Sequence, residues 1–306
     1  MLKIGIDLGG TKTEALVIDA AGREHYRKRV ATPRGSYEEI LSAIVQLIED
    51  VERECGARGT IGIGIPGITS PATGLVKNAN TTLLIGHPLD KDLEARLGRP
   101  VRVANDANCF ALSEATDGAA SPAALGVQRP VVFGVILGTG TGGGVVVGGE
   151  IVVGPDAIAG EWGHNSLPWP GSDEVPGPAC WCGLSGCIET FLSGPALGRA
   201  HRERTGQDWD AGRIARAAEA GDEEAVKTLD QYASRLARGL ASIINVLNPH
   251  AIVLGGGVSN IARLYEQVPA LWQRHVFSDV VTTRLLRAKH GDSSGVRGAA
   301  WLWSEA

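Results

Sequence analysis

Val131-Val132-Phe133-Gly134-Val135-Ile136-Leu137-Gly138-Thr139-Gly140-Thr141-Gly142-Gly143-Gly144-Val145-Val146-Val147 is the stretch that decides the fold class of this chain. Val131–Leu137 reads as a buried strand, Gly138–Gly144 as a Gly/Thr loop, and Val145–Val147 as a second strand. A dinucleotide-binding fingerprint needs a helix directly after its glycines, and here a strand follows. The phosphate-loop motif GxxxxGK[ST] is excluded because Gly-Lys occurs nowhere in the chain. The N-terminus carries the same arrangement: Ile4–Asp7 as a strand, Gly9-Gly10-Thr11-Lys12 as a turn, Ala15–Asp19 as a second strand. The two copies lie about 130 residues apart, which points to a duplicated α/β fold with a cleft between its halves.

The remaining segments fit this scheme. Ile40, Leu41, Ile44, Leu47, Ile48 and Val51 recur at helical spacing and predict a helix over 37–55. Strands are expected at 61–65 and 101–104, and a helix over 107–114. Residues 117–130 lack periodicity and are rich in Ala, Gly, Ser and Pro, marking a boundary between two domains. Residues 154–188 are irregular, and a loop of that length is usually functional or held by something. Helix is expected from about 211, notably 225–247, then a strand at 251–254 ending in Gly255-Gly256-Gly257, a helix at 260–274 and a short one at 298–303.

Composition sets the outer limits. The chain has 306 residues, 42 of them glycine, 43% hydrophobic and 21% charged. Glycine at about 14% is twice the usual ~7%, without the three-residue period of collagen. A net charge of −5 gives no nucleic-acid footprint. No apolar run reaches the ~18 residues of a membrane span. The first residues lack a leader pattern, so a cytoplasmic protein is expected.

Three Gly-rich loops follow strong strands, at Gly9-Gly10, Gly138–Gly144 and Gly255–Gly257. Bare backbone N–H groups form anion-binding concavities, and Thr11, Lys12, Thr139 and Thr141 add donors, so the three together read as a phosphate cradle. Singly, each reads equally well as a tight turn. Asp7 and Asp106 end strands beside these loops. Such carboxylates suit magnesium binding or accepting the proton of an attacking hydroxyl, and also the plainer task of capping a helix. Cys180, Cys182 and Cys187 with upstream His164 make a closed tetrahedral zinc set, with three ordinary thiols as the alternative. Glu161 and Glu189 flank that cluster and offer fixed acceptors to a polyol.

Asp7-Leu8-Gly9-Gly10-Thr11-Lys12, Asn105-Asp106-Ala107-Asn108, Leu137-Gly138-Thr139-Gly140, Glu161-Trp162-Gly163-His164 and Cys180-x-Cys182-Gly183-x-x-Gly186-Cys187-x-Glu189 occur in this order. The set resembles the ROK family of bacterial sugar kinases and repressors. Within the family, Val76–Asn80, Trp162–Trp169 and Lys289–Gly298 are most similar to fructokinases, and N-acetylglucosamine kinases share much of the pattern.

The resemblance implies the actin-like ATPase (ribonuclease H-like) fold. Its two domains would be 1–118 and 119–290, around a central cleft, with a C-terminal helix at 291–306 returning to the first. It implies Asp106 as general base and a sugar ring held by Gly67, Asn80, Asn105, Glu161, His164 and Glu189. ATP would lie on Gly9, Gly10, Thr11, Lys12, Gly138, Thr139, Gly140, Thr141, Gly255, Gly256, Gly257 and Asn260, and magnesium by Asp7. Structural zinc would sit on His164, Cys180, Cys182 and Cys187. The expected reaction is phosphorylation of a hexose 6-hydroxyl. Fructose leads, mannose and glucose are side substrates, and N-acetylglucosamine is the alternative; a homodimer is implied. A sugar-responsive repressor is disfavoured because strand one starts by residue 3, and a non-catalytic sugar binder because Asp106 and the phosphate loops are retained.

Overall fold

The hairpin expected over residues 4–19 forms in the computed structural model of the chain, which describes residues 1–303 apart from the side chain of Asp292. The last three residues of the expected 291–306 helix lie outside the described residues. The strands are β1 (Leu2–Leu8), β2 (Lys12–Ile18), β3 (Glu24–Ala31), β4 (Gly59–Ile65), β5 (Ile68–Thr69), β6 (Val76–Lys77), β7 (Val101–Asn105), β8 (Val131–Leu137), β9 (Thr141–Val147), β10 (Glu150–Ile151), β11 (Ala251–Gly255) and β12 (Arg284–Arg287). The helices are α1 (Tyr37–Cys55), α2 (Leu89–Leu97), α3 (Asp106–Thr116), α4 (Pro122–Leu125), α5 (Glu189–Leu192), α6 (Gly194–Thr205), α7 (Ala211–Glu219), α8 (Glu223–Leu247), α9 (Leu264–Trp272) and α10 (Ser294–Trp301). No described helix is long and apolar enough to cross a membrane.

Two five-stranded sheets have the same internal order, β3-β2-β1-β4-β7 and β10-β9-β8-β11-β12. In each, the first three strands run antiparallel and the last two join in parallel. The repeat read from two glycine turns is thus a repeat of topology. The chain crosses between the sheets at 117–130 and again at 288–293.

Three apolar layers result. Helix α1 starts at Ser36, whose hydroxyl accepts from the Glu39 N–H, and ends at Gly56. Its stripe of Ile40, Leu41, Ile44, Leu47, Ile48 and Val51 packs on Ile4, Ile6, Ile61 and Ile63 of the first sheet. Helix α8 covers the second sheet, with Leu236 and Leu240 in one cluster with Phe133, Val135, Ile252 and Leu254. The middle layer takes α3 and α10 and draws residues from both sheets, Leu16 and Ile18 from one and Val132 and Val253 from the other. Residues Ala107–Ala115 of α3 are all buried, so this helix is enclosed on every side, its polar Asn108, Ser113 and Glu114 included.

The middle layer also accounts for many glycines. A Cβ on Gly5 would lie 2.0 Å from the Val296 carbonyl oxygen, and one on Gly62 1.9 Å from that of Ala299. On Gly298 it would lie 1.7 Å from the Cys109 carbonyl oxygen, and on Gly144 2.6 Å from that of Ala107. Helix backbone rests directly on sheet backbone and on the neighbouring helix, leaving no room for a side chain. This corrects the expected loop at Gly138–Gly144. Thr141–Gly144 already belong to β9, pairing with Leu137–Gly134, so the turn is Gly138–Gly140 alone.

The edge strand β12 and helix α6 were not anticipated. The final helix starts at Ser294 rather than 298, and α9 covers only the centre of the expected 260–274 segment.

Candidate active site

Strand β7 ends at Asn105 and α3 begins at Asp106, so the chain delivers a carboxylate to the mouth of a helix N-terminus. Asn105 is the cap. Its Oδ1 accepts from the Ala107 and Asn108 N–H groups at 2.9 and 3.3 Å, and its Nδ2 donates to the Gly67 carbonyl at 3.2 Å. Asp106 Oδ1 accepts from Ala107 N–H at 2.8 Å. Gly67 precedes the β5–β6 ribbon with φ +148°, and a Cβ there would lie 2.8 Å from Ala79 Cβ. Only glycine lets the 67 and 78–80 segments meet beside Asn105.

Gly67, Asn80, Asn105, Asp106, Glu161, His164 and Glu189 all line one cavity of about 300 Å³, together with Gly138–Gly143. The sequence reading assigned these seven to a sugar, and the fold brings them together. Burial, reinforced by the nearby Glu161 charge, pushes the Asp106 carboxyl up to about 6 against the pull of the Ala107 N–H. Burial and the charges of Asp106 and Glu14 raise Asp7 to about 6 as well, with Lys12 and Arg29 opposing. Two crowded carboxyls of this kind form a site that favours gaining a proton or a cation.

The irregular segment 154–188 is organised by pairing. Ser166 bridges Cys187, Leu167 N–H donates to the Gly186 carbonyl at 3.0 Å, and Ile188 N–H donates to that of Asn165 at 2.8 Å. His164 is thereby carried to the cysteines. One donor atom each from His164, Cys180, Cys182 and Cys187 lies within 4.8 Å of the others. His164 Nδ1 is 3.6 Å from Cys180 Sγ, and Cys182 Sγ is 3.6 Å from Cys187 Sγ. Zn–S bonds of ~2.3 Å in a tetrahedron place sulfurs about 3.8 Å apart, so this donor set fits zinc in both chemistry and size. Glu174 anchors the same segment to α8 through Arg235 and Arg238, each at 2.8 Å. Although burial pushes the Glu174 carboxyl up, the two arginines hold it down to about 2.

Glu189 joins the cysteine-bearing loop to the start of β9. Its Oε2 accepts from Thr141 N–H at 2.9 Å and its Oε1 from Trp181 Nε1 at 2.8 Å. Trp181 and Asn78 also line the cavity, and sequence reasoning missed both. The only signal for Trp181 was its place between two ligand-type cysteines.

A second cavity of about 1120 Å³ shares Gly138 and Thr139 with the first. Gly257 lines it, as do Arg199, Arg202, Trp209 and Arg216 from α6, α7 and their connection, four residues the sequence did not single out. The other residues expected around a nucleotide sit elsewhere. Gly255 lies under the Phe110 ring and Gly256 against the Leu137 backbone, both close approaches within the core. Asn260 binds the Gly257 carbonyl and Arg287. Gly9–Lys12 form the β1–β2 turn, in which Gly9 N–H donates to the Lys12 carbonyl at 3.0 Å and Thr32 pins the Gly9 carbonyl at 2.7 Å. They line neither cavity, although Lys12 is close enough to act on Asp7.

Comparison with known proteins agrees with this architecture. A match to the ROK family spans residues 3–306. The chain belongs to the ROK family. An N-acetyl-D-glucosamine kinase of Pasteurella multocida is 41% identical over 307 residues, 99% of each chain, and that of Salmonella typhimurium is 40% identical over 302 residues, 97% of this chain and 98% of the relative. Among solved structures, a ROK hexokinase from Thermus thermophilus is 35% identical with a TM-score of 0.85, covering 98% of this chain and 97% of the other. A ROK glucokinase from Streptomyces griseus, solved with glucose and AMPPNP, is 30% identical with a TM-score of 0.78 over 99% of both chains. This ROK sugar kinase therefore has the actin-like ATPase fold. The expectation that fructose leads is not matched by the two relatives at about 40% identity, which are named for N-acetyl-D-glucosamine.

Proposed function

We propose that this ROK kinase transfers the terminal phosphoryl group of ATP to the 6-hydroxyl of N-acetylglucosamine. The observation that carries the reading is identity of about 40% along the whole chain with kinases named for that sugar. The smaller cavity would take the hexose. Asn80, Glu161, His164 and Glu189 would hold its ring, and Asn105 and Gly67 would shape the wall. Asp106 would accept the 6-hydroxyl proton as the oxygen attacks, and its raised carboxyl value suits a base working near neutral pH.

The larger cavity would take ATP, with the shared Gly138 and Thr139 at the phosphates where the two cavities meet. Positioning and charge stabilisation carry most of such a transfer. Gly9–Lys12 would close over the phosphates from the first sheet as residues 1–118, with the last helix, approach residues 119–290. Asp7 would position magnesium, which supplies charge neutralisation at the phosphates. Zinc on His164, Cys180, Cys182 and Cys187 would be structural, since four protein ligands leave no open position.

A coupled assay of ADP release with N-acetylglucosamine, fructose, mannose and glucose tests the reading. N-acetylglucosamine is expected to have the highest kcat/KM. Fructose is the second reading, favoured by the Val76–Asn80 and Lys289–Gly298 segments, and a higher kcat/KM for fructose would establish it instead.

A further inference from the structure

Trp181 has no role in the reading so far, yet four observations converge on it. It lines the smaller cavity, the one Phe, Tyr or Trp among the described residues that do so. Its side chain is largely open, at 71% exposure, and among the described Phe, Tyr and Trp residues only Trp169 and Phe277 are exposed besides it. Its Nε1–H donates to Glu189 Oε1 at 2.8 Å. Its ring stands edge-on to His164, with centroids 5.0 Å apart and planes at 87°. The flanking Cys180 and Cys182 both belong to the zinc-type cluster, so the backbone on each side of the indole is tied down.

An exposed indole at a cavity wall is poised to lose water when something apolar covers it. A pyranose offers such a surface, because its axial C–H groups make one face of the ring apolar while the hydroxyls point outward. Trp181 also restrains the carboxylate that would receive a hydroxyl. Glu189 is held at both oxygens, by Thr141 N–H and by the indole N–H, and each oxygen keeps a lone pair for the sugar.

We infer that Trp181 is a sugar-contacting residue, an aromatic wall for the apolar face of the hexose that at the same time orients Glu189. The inference rests on the kinase reading above. It assigns a substrate contact to the position between the two cysteines, where the zinc set itself requires no particular side chain.

The test uses the zinc-loaded 306-residue protein, its Trp181→Phe and Trp181→Ala variants, and the hexose with the highest kcat/KM in the panel. Trp181→Ala removes both wall and hydrogen bond and is expected to raise the sugar KM about 10- to 30-fold, while Trp181→Phe keeps a ring and raises it about 3-fold. The KM for ATP and the zinc content are expected to stay at wild-type values. Titrating the sugar without ATP is expected to change tryptophan fluorescence in the wild type and not in Trp181→Phe. A sugar KM within twofold of wild type in Trp181→Ala would overturn the inference. Equal losses in both variants would place the effect in the Glu189 hydrogen bond and overturn the wall. Loss of zinc from Trp181→Ala beside a fully normal Trp181→Phe would do the same, since the indole would then only hold the metal loop. Wild-type protein without ATP-dependent turnover of any hexose would instead defeat the kinase reading, a distinguishable result.

Discussion

Asp106 is a buried carboxyl at a helix N-terminus, and both facts matter. The Ala107 N–H favours its charged form, burial and Glu161 oppose it more strongly, and the balance falls at about 6. As the proposed base it must be ionised, so kcat/KM is expected to fall as pH drops through about 6. Asp106→Asn is expected to lower kcat about 10²- to 10⁴-fold with zinc content unchanged; a variant with near-wild-type turnover would remove the residue from the mechanism. The sign for stability runs the other way. A carboxyl raised from 3.8 to about 6 contributes stability that is complete below about pH 4 and lost as pH rises through about 6. The effect is at most ~3 kcal/mol. Thermal melts should therefore show Asp106→Asn gaining on wild type between pH 5 and pH 7.5. The residue that would drive turnover is one whose charge the fold tolerates poorly.

Two elements set the site's geometry, the metal-type loop and the glycine-faced layer. The loop carries Glu161, His164, Trp181 and Glu189 on about thirty residues with little regular structure, an arrangement that needs cross-links to stay ordered. Cys182→Ser is expected to lose zinc by elemental analysis and to raise the sugar KM; a variant that binds sugar normally without the metal would show that Glu174 with Arg235 and Arg238 suffices to hold the loop. In the layer, α3 and α10 touch through Gly298, where a Cβ would overlap the Cys109 carbonyl oxygen at 1.7 Å. Gly298→Ala must push the helices apart, and a cost of about 1–3 kcal/mol is expected as a lower denaturant midpoint. An unchanged midpoint would mean that the layer yields freely.

At the scale of the whole molecule, two sheets of one topology are joined by two chain crossings that meet at a single buried carboxylate. Glu114, fully buried on α3, accepts from Ala119 N–H at 2.8 Å in the first crossing. In the second it accepts from Lys289 N–H at 3.1 Å, His290 N–H at 3.4 Å and Ser294 Oγ at 2.8 Å. Three of the partners are backbone N–H groups, spread over both carboxylate oxygens, so an amide nitrogen on either side would face at least one donor. Glu114→Gln is expected to cost about 1–3 kcal/mol in denaturant unfolding, whereas a neutral result would show that the crossings do not depend on this tie. Because α3 begins at Asp106, a loosened Glu114 also loosens the far end of the helix that presents this carboxyl.

Much of this was legible along the chain, for physical reasons. Strand and helix periodicity, the Gly/Thr turns, Asn105 as a cap and the Cys180–Cys187 spacing are local signals, written within a few residues of where they act. The duplicated sheets followed from two such signals repeated, and the ordered motif set identified the family. What only the tertiary structure decided depends on atoms distant in sequence. Glycine reads the same whether it faces a phosphate or a helix, and only the packing of α3 and α10 shows that Gly5, Gly62, Gly144 and Gly298 face backbone. The edge strand β12 has a weak pattern of its own and takes its place from β11. Arg199, Arg202, Trp209 and Arg216 become neighbours of the glycine turn only when α6 and α7 pack beside it. Trp181 becomes a wall of the cavity only because the ribbon from Asn165 to Ile188 folds its loop over Glu189. Periodicity encodes which face of an element is buried, and it carries no information about which distant backbone will come to rest there.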